Sequence, residues 1–82
     1  MTRKVVFVRW SDAHHASGWT RDTPDNKPTP CVTVGIILAE DEEAVTVCCS
    51  ISEEDDPQHC GQMTIPKVCI VSMIEIDGAR LY

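Results

Sequence analysis

The sequence predicts an all-β fold, a small five-stranded and strongly bent barrel with a long first loop. Five short runs are rich in β-branched and aromatic residues, which favour strands. No stretch of ten or more residues has the apolar spacing of an amphipathic helix. We expect the 82 residues to form one domain over 1–82. Partial closure into a barrel is the simplest way for such a sheet to bury one face.

The first two predicted strands flank the long loop. The runs "KVVFVRW" and "CVTVGIILAE" predict strands over 4–10 and 31–40. The second strand has its most apolar side at the even positions, and Gly35 at its centre indicates a point of strong bending. Residues 11–30 connect the two strands, and their three prolines stiffen the approach to the second strand.

The second half of the chain predicts three more strands. Residues 44–52, "AVTVCCSIS", alternate apolar and polar side chains, which is typical of a half-buried antiparallel strand. A short strand over 62–66 ends at Pro66, because proline cannot donate to a ladder. Residues 67–69 predict a single 3₁₀ turn, 70–76 the last strand, and 77–82 a tail.

The predicted core is the more apolar side of these strands. Its members are Val6, Val8, Val32, Val34, Ile36, Leu38, Val45, Val47, Cys49, Ile51, Ile65, Ile70 and Ile74. Five further apolar residues remain on the second faces, and they are Val5, Phe7, Ile37, Val71 and Met73. A barrel of this size cannot easily bury both sets. This surplus predicts a homo-oligomer that pairs through edge strands, with a ring as one form.

The charge pattern restricts the partners. The formal net charge is −6, and the seven basic residues are scattered along the chain. A nucleic-acid binder usually shows a basic stripe, so RNA is disfavoured, and a protein is the expected partner. No run is long enough for a membrane span. Five cysteines, an odd number, and a start without the features of a signal peptide predict a cytoplasmic protein with reduced thiols.

The long loop carries the candidate binding residues, which are Trp19, His14, His15 and Arg21. Trp19 follows Gly18 in a polar segment. Its indole either folds back over an open barrel end, which is the favoured interpretation, or anchors a partner.

Metal and catalytic chemistry find little support in the sequence. No pair of ligands has zinc-finger spacing, and the adjacent Cys48 and Cys49 point to opposite faces of a strand. His59 and Cys60 lie together in a loop, but no local signature links a cysteine to a histidine base. We therefore predict no metal, no cofactor and no catalytic residues. The acidic runs 40–43 and 53–56 predict solvated turns, with calcium or a basic protein partner as the alternative.

Two segments resemble those of SH3-like and Sm-like small barrels. In "MTIPKVCIVSMIEI" a short strand ends in Ile-Pro, and a single turn then leads into the last strand. The segment "VGIILAEDEEAVTVCCSIS" resembles the central bent hairpin of these folds. The acidic turns depart from the basic residues that Sm-like RNA binders carry near their pore, which puts RNA binding in doubt.

The chain also resembles short uncharacterised proteins encoded by bacteriophages and prophages. The resemblance lies in "VRWSDAHHASGWT", in the Val-Gly-aliphatic strand and in the Ile-Pro-Lys near the end. It implies a small barrel, a phage context and the cytoplasm of the host cell, but no activity. We therefore predict a non-enzymatic phage-type accessory protein that acts as an oligomeric protein-binding module, with a host or phage protein as its partner. The alternatives are a small-ligand or nucleotide binder with an intersubunit pocket, and an Sm-like RNA-binding ring.

Overall fold

The computed structural model describes residues 3–77, and this part of the chain consists of strands, loops and one 3₁₀ turn. The strands are β1 (Val5–Asp12), β2 (Thr29–Glu40), β3 (Ala44–Cys48), β4 (Ser50–Ile51), β5 (His59–Cys60), β6 (Met63–Pro66) and β7 (Ile70–Glu75), and the 3₁₀ turn is Lys67–Cys69. The prediction of an all-β fold is confirmed. All of the predicted tail except Asp77 lies outside the described residues.

Five of the strands form one antiparallel sheet, in the order β6-β3-β2-β1-β7. The prediction of a barrel is wrong, because no ladder joins β6 to β7 and the described sheet stays open. β6 has only four residues and ends at Pro66, which has no N–H to donate. The chain then passes directly through the three-residue 3₁₀ turn into β7. The sheet therefore bends, but it does not close.

The bend brings both edge strands onto one core. The buried cluster consists of Val6, Val8, Val45, Val47 and Ile65, and Trp10, Ile37, Ile70 and Met73 pack against it. β1, β3 and β6 supply the buried cluster, and β7 supplies two of the surrounding residues. The five members of the cluster were all predicted from the sequence.

The predicted orientation of β2 is wrong. Val32 and Val34 are each 53 % exposed, and the register pairs Gly35 with the buried Val6. A Cβ atom on Gly35 would lie 2.8 Å from the Cβ of Val47. The glycine side of β2 faces the core because only a residue without a side chain fits beneath Val47. The more apolar, even side therefore lies on the opposite surface.

Irregularities explain the other errors in the predicted core. Ile74 is 60 % exposed. Inward and outward side chains alternate along β7 from the half-buried Ile70, but the register shifts around Val71, so Met73 and not Ile74 packs against the core. Cys49 is exposed at the bend between β3 and β4, and Cys48 is buried in its place. Four predicted core residues are only half-buried, and they are Ile36, Leu38, Ile51 and Ile70.

The predicted third strand is interrupted, and a small hairpin was missed. β3 stops at Cys48, and β4 then pairs with β5 in a separate two-stranded sheet. Ser50 pairs with Cys60 and Ile51 with His59. Two-residue strands are too short to show a period in sequence. Among residues 3–77 we find no helix with the length and apolar character needed to cross a membrane.

Candidate functional site

The long connection between β1 and β2 forms a projecting arm, which we define as residues 13–28. The β1–β2 ladder continues through the pairs Ser11–Pro30 and Asp12–Thr29, so the free connection is shorter than predicted. Every residue of the arm is exposed. His14 Nε2 lies 2.7 Å from the carbonyl oxygen of Lys27 and ties the base of the arm together.

Short local hydrogen bonds shape the rest of the arm. The Asp22 N–H donates to Thr20 Oγ1 at 3.0 Å, and the Lys27 N–H donates to Asp25 Oδ1 at 3.1 Å. Side-chain bonds of this kind stabilise turns without any tertiary contact. The molecule measures 55 × 30 × 25 Å, and we infer that the arm contributes to its elongation.

Trp19 is fully exposed on this arm, with a relative accessibility of 105 %. Gly18 precedes it with a φ of +95°, a conformation that glycine adopts without strain. The favoured interpretation, in which the indole folds back over the barrel end, is therefore wrong. Trp10 packs against the core instead, and its Nε1 donates to Thr33 Oγ1 at 2.9 Å.

The structure divides the four predicted binding residues between two hollows on the arm. Trp19 and Arg21 line a hollow of about 410 Å³. His14 and His15 line another hollow of about 670 Å³. Thr20 contributes to both hollows. The arm therefore places the four side chains near one another, but it does not combine them in a single pocket.

The second candidate surface is largely apolar, and we call it the outer face. It is the side of the sheet opposite the core, and it carries Phe7, Arg9, Val32, Val34 and Ile74. Phe7 pairs with Val34 on one side and with Ile74 on the other, so the three side chains form a row across three strands.

One cation lies within the apolar outer face. The Arg9 guanidinium carbon is 5.2 Å from the centroid of the Phe7 ring, which is within cation–π range. The surplus of apolar residues was the signal for a second apolar surface. Its members were misassigned because the two sides of β2 were exchanged and because the register shift in β7 places Ile74 instead of Met73 on this face.

The cysteines and histidines do not converge on a metal. Within residues 3–77, no three side chains among His, Cys, Asp and Glu lie close enough to share an ion. His59 Nε2 pairs with Gln62 Oε1 at 2.9 Å, and Cys60 is exposed beside it. His14 must donate its Nε2 proton to a carbonyl oxygen, since that oxygen only accepts. This nitrogen is therefore not available as a base.

The acidic run between β2 and β3 shapes a turn. The backbone N–H groups of Glu43 and Ala44 donate to Asp41 Oδ1 at 2.8 and 3.0 Å. These bonds stabilise the carboxylate and hold the pKa of Asp41 below its ordinary value. Glu40 pairs with Lys67 Nζ at 3.0 Å on the surface. Both acidic runs are exposed, which confirms that they form solvated turns.

No protein family, no curated protein and no solved structure matches the chain.

Proposed function

We propose that this chain is a non-enzymatic protein-binding module that self-associates through an edge of its sheet. The full exposure of Trp19 on the arm carries the proposal. Exposing a large aromatic side chain to water is unfavourable, and a partner that buries it recovers this free energy. Tryptophan is also among the residues that dominate the binding energy of protein interfaces.

The outer face supports the same function. Four of its five members are apolar, and Val32, Val34 and Ile74 are each more than half exposed. Apolar patches of this kind are common at protein interfaces. The embedded Arg9 offers a donor and a positive charge that fix the orientation of a partner.

The overall charge favours a basic protein over a nucleic acid. The chain carries a net charge of −6, and it therefore repels phosphate backbones at long range. A partner with a basic surface would instead be attracted during encounter. This property supports the protein-binding proposal over an RNA-binding ring.

We infer a relation to the SH3-like and Sm-like class from the order of elements along the chain. A short strand that ends at Pro66 is followed by the 3₁₀ turn and β7, as in the segment that resembles these barrels, although the described sheet is open. An accessory role in a phage context rests on the resemblance of the sequence alone.

The test compares two variants of exposed apolar residues. Trp19→Ala removes the proposed anchor, and Val68→Ala is the control, because Val68 is 94 % exposed in the 3₁₀ turn. Immobilised wild-type protein and both variants are incubated with a lysate of the organism that encodes the chain. We expect a protein that the wild type and Val68→Ala retain and that Trp19→Ala loses.

The affinity for that protein, once purified, then gives the size of the effect. Truncation of a tryptophan anchor costs about 2 kcal/mol or more, which is about a thirtyfold weaker Kd. Retention that does not depend on Trp19 would contradict the proposed anchor. Specific retention of RNA, with affinity that falls steeply with salt, would favour the Sm-like RNA-binding alternative.

A further inference from the structure

The outer side of β7 is regular over residues 72–75, and no described strand pairs with it. The Ile76 N–H donates to the carbonyl oxygen of Val5 at 2.7 Å. Backbone groups of successive residues in a strand point to opposite sides, so Ile74 and Ser72 also face β1. Met73 and Glu75 therefore direct their N–H and C=O groups to the open side, where no described strand pairs with them.

The β6 edge offers far fewer donors. The Lys67 N–H donates to the carbonyl oxygen of Glu43 at 2.8 Å. The same alternation turns Ile65 toward β3, and it turns Thr64 and Pro66 toward the open side. Pro66 has no N–H, so Thr64 is the only residue of β6 that directs a donor outward. β7 is therefore the edge better suited to strand addition.

We propose that the β7 strands of two copies pair antiparallel about a two-fold axis centred on Ile74. In this register Ile74 lies opposite Ile74 of the second copy. Met73 exchanges backbone hydrogen bonds with Glu75 of the second copy, and Glu75 does so with its Met73, which gives four bonds. The edge is self-complementary, as an isologous interface requires.

Two neighbouring registers are worse. A two-fold axis at Glu75 places two carboxylates directly opposite each other, which is destabilising. An axis at Met73 requires regular pairing of Val71, but the register of β7 shifts around this residue. The register centred on Ile74 uses only the regular part of the strand and separates the two Glu75 side chains.

Pairing in this register also joins the outer faces of the two copies. The row of Val34, Phe7 and Ile74 continues into Ile74, Phe7 and Val34 of the second copy. The two Ile74 side chains, each 60 % exposed in the monomer, cover one another. A strand edge buries much less than the roughly 800 Å² per partner of a stable interface, so the dimer is expected to dissociate on dilution.

The test removes one backbone donor without touching the β1 ladder. Glu75→Pro deletes an N–H that faces the second copy, and the restriction that proline places on Ile74 is compatible with a strand. Glu75→Ala is the matched control, because it also loses the carboxylate side chain but keeps the N–H. Sedimentation velocity from micromolar to millimolar concentration measures association, and circular dichroism checks the fold.

We expect concentration-dependent dimers for the wild type and for Glu75→Ala, and monomers for Glu75→Pro. Ile74→Lys is a second variant that keeps all backbone donors and places two cations opposite each other, and it should also be monomeric. In the wild type, amide exchange at Met73 and Glu75 should slow as concentration rises.

This inference rests on the proposed self-association, and the outcomes separate the two. Dimers that persist in both Glu75→Pro and Ile74→Lys would overturn the β7 pairing but leave self-association standing. Dissociation by Thr64→Pro at the β6 edge, with Glu75→Pro unaffected, would overturn the pairing in the same way. A wild type that stays monomeric to millimolar concentration would overturn both. Trp19→Ala should leave the dimer intact.

Discussion

Gly35 determines which side of β2 faces the core. Its neighbours Val34 and Ile36 are larger and more apolar, yet Val34 is mainly exposed. β3 passes so close that a Cβ on Gly35 would meet Val47 at 2.8 Å and the carbonyl oxygen of Cys48 at 3.1 Å. Steric fit between the two strands therefore overrides the apolar pattern within one strand.

The first prediction tests this steric role. Gly35→Ala should lower the free energy of unfolding by about 1–3 kcal/mol, because overpacking forces the strands apart. Val34→Ala is the control on the same strand, and it should cost clearly less because its side chain faces water. Urea denaturation measures both. The reverse ranking, with Val34→Ala more costly, would show that the even side of β2 is buried.

Single residues show what the sequence could predict. Val6, Val8, Val45, Val47 and Ile65 were identified because each lies on the apolar side of its strand. The orientation of β2 could not be predicted, since it depends on a contact with β3 that no spacing in one strand reveals. The exposure of Trp19 could not be predicted either, because nothing near it in sequence determines whether the indole is buried.

Among the elements, the hairpin between β2 and β3 depends on one side chain, that of Asp41. Asp41 Oδ1 accepts two backbone N–H groups, and the Asp41 N–H donates to the carbonyl oxygen of Ala44 at 3.0 Å. Such an arrangement satisfies the donors of a tight turn locally. Lys67 adds an exposed ion pair to Glu40 beside it, which contributes little in water.

The second prediction concerns this turn. Asp41→Ala should lower the Tm more than Glu42→Ala, since Glu42 in the same turn supplies no turn-closing acceptor among the described bonds. The pKa of Asp41 is lower in the folded state than its ordinary value. The wild type should therefore exceed Asp41→Ala in stability by the full amount at pH values above the ordinary pKa of Asp41. This difference should disappear as the pH falls through the pKa of Asp41 in the folded state.

Thermal unfolding of the wild type and Asp41→Ala between pH 7 and pH 2.5 measures this difference. Equal Tm values at pH 7, or a difference that grows toward low pH, would contradict the assigned role of the carboxylate.

The elements were predicted where the pattern is local. The 3₁₀ turn over Lys67–Cys69 has the predicted bounds, because Pro66 marks its start. β5 was missed, since two residues cannot show a period, and β4 was predicted only as the end of the third strand. The register shifts in β2 and β7 were also missed. A bulge depends on the neighbouring strand, and the sequence of one strand does not reveal it.

The whole molecule is more extended than a compact domain. Its radius of gyration is 16.5 Å, compared with about 12 Å for a compact chain of this length. The sequence indicated correctly that five strands build one sheet, but the predicted closure of that sheet into a barrel does not occur. The polar and proline-rich composition of residues 13–28 is compatible with a lid and with an arm. The sequence alone therefore could not predict where this segment lies.

The arm and the outer face give the molecule two separate surfaces. The proposed β7 pairing would use the edge of the sheet and join two outer faces, and it would leave the arm free for a different protein. Loss of Trp19 and loss of the β7 edge should therefore affect different measurements. The proposed protein-binding function depends most on the exposure of the Trp19 side chain to solvent.

Tryptophan fluorescence tests this exposure most directly, because the chain has only two tryptophans. Trp10→Phe leaves Trp19 as the sole emitter, and Trp19→Phe leaves Trp10. We predict that Trp19 emits like free indole in water and is quenched by acrylamide as efficiently as N-acetyltryptophanamide, while Trp10 emits at shorter wavelength and is protected. A blue-shifted and protected Trp19 would contradict the account.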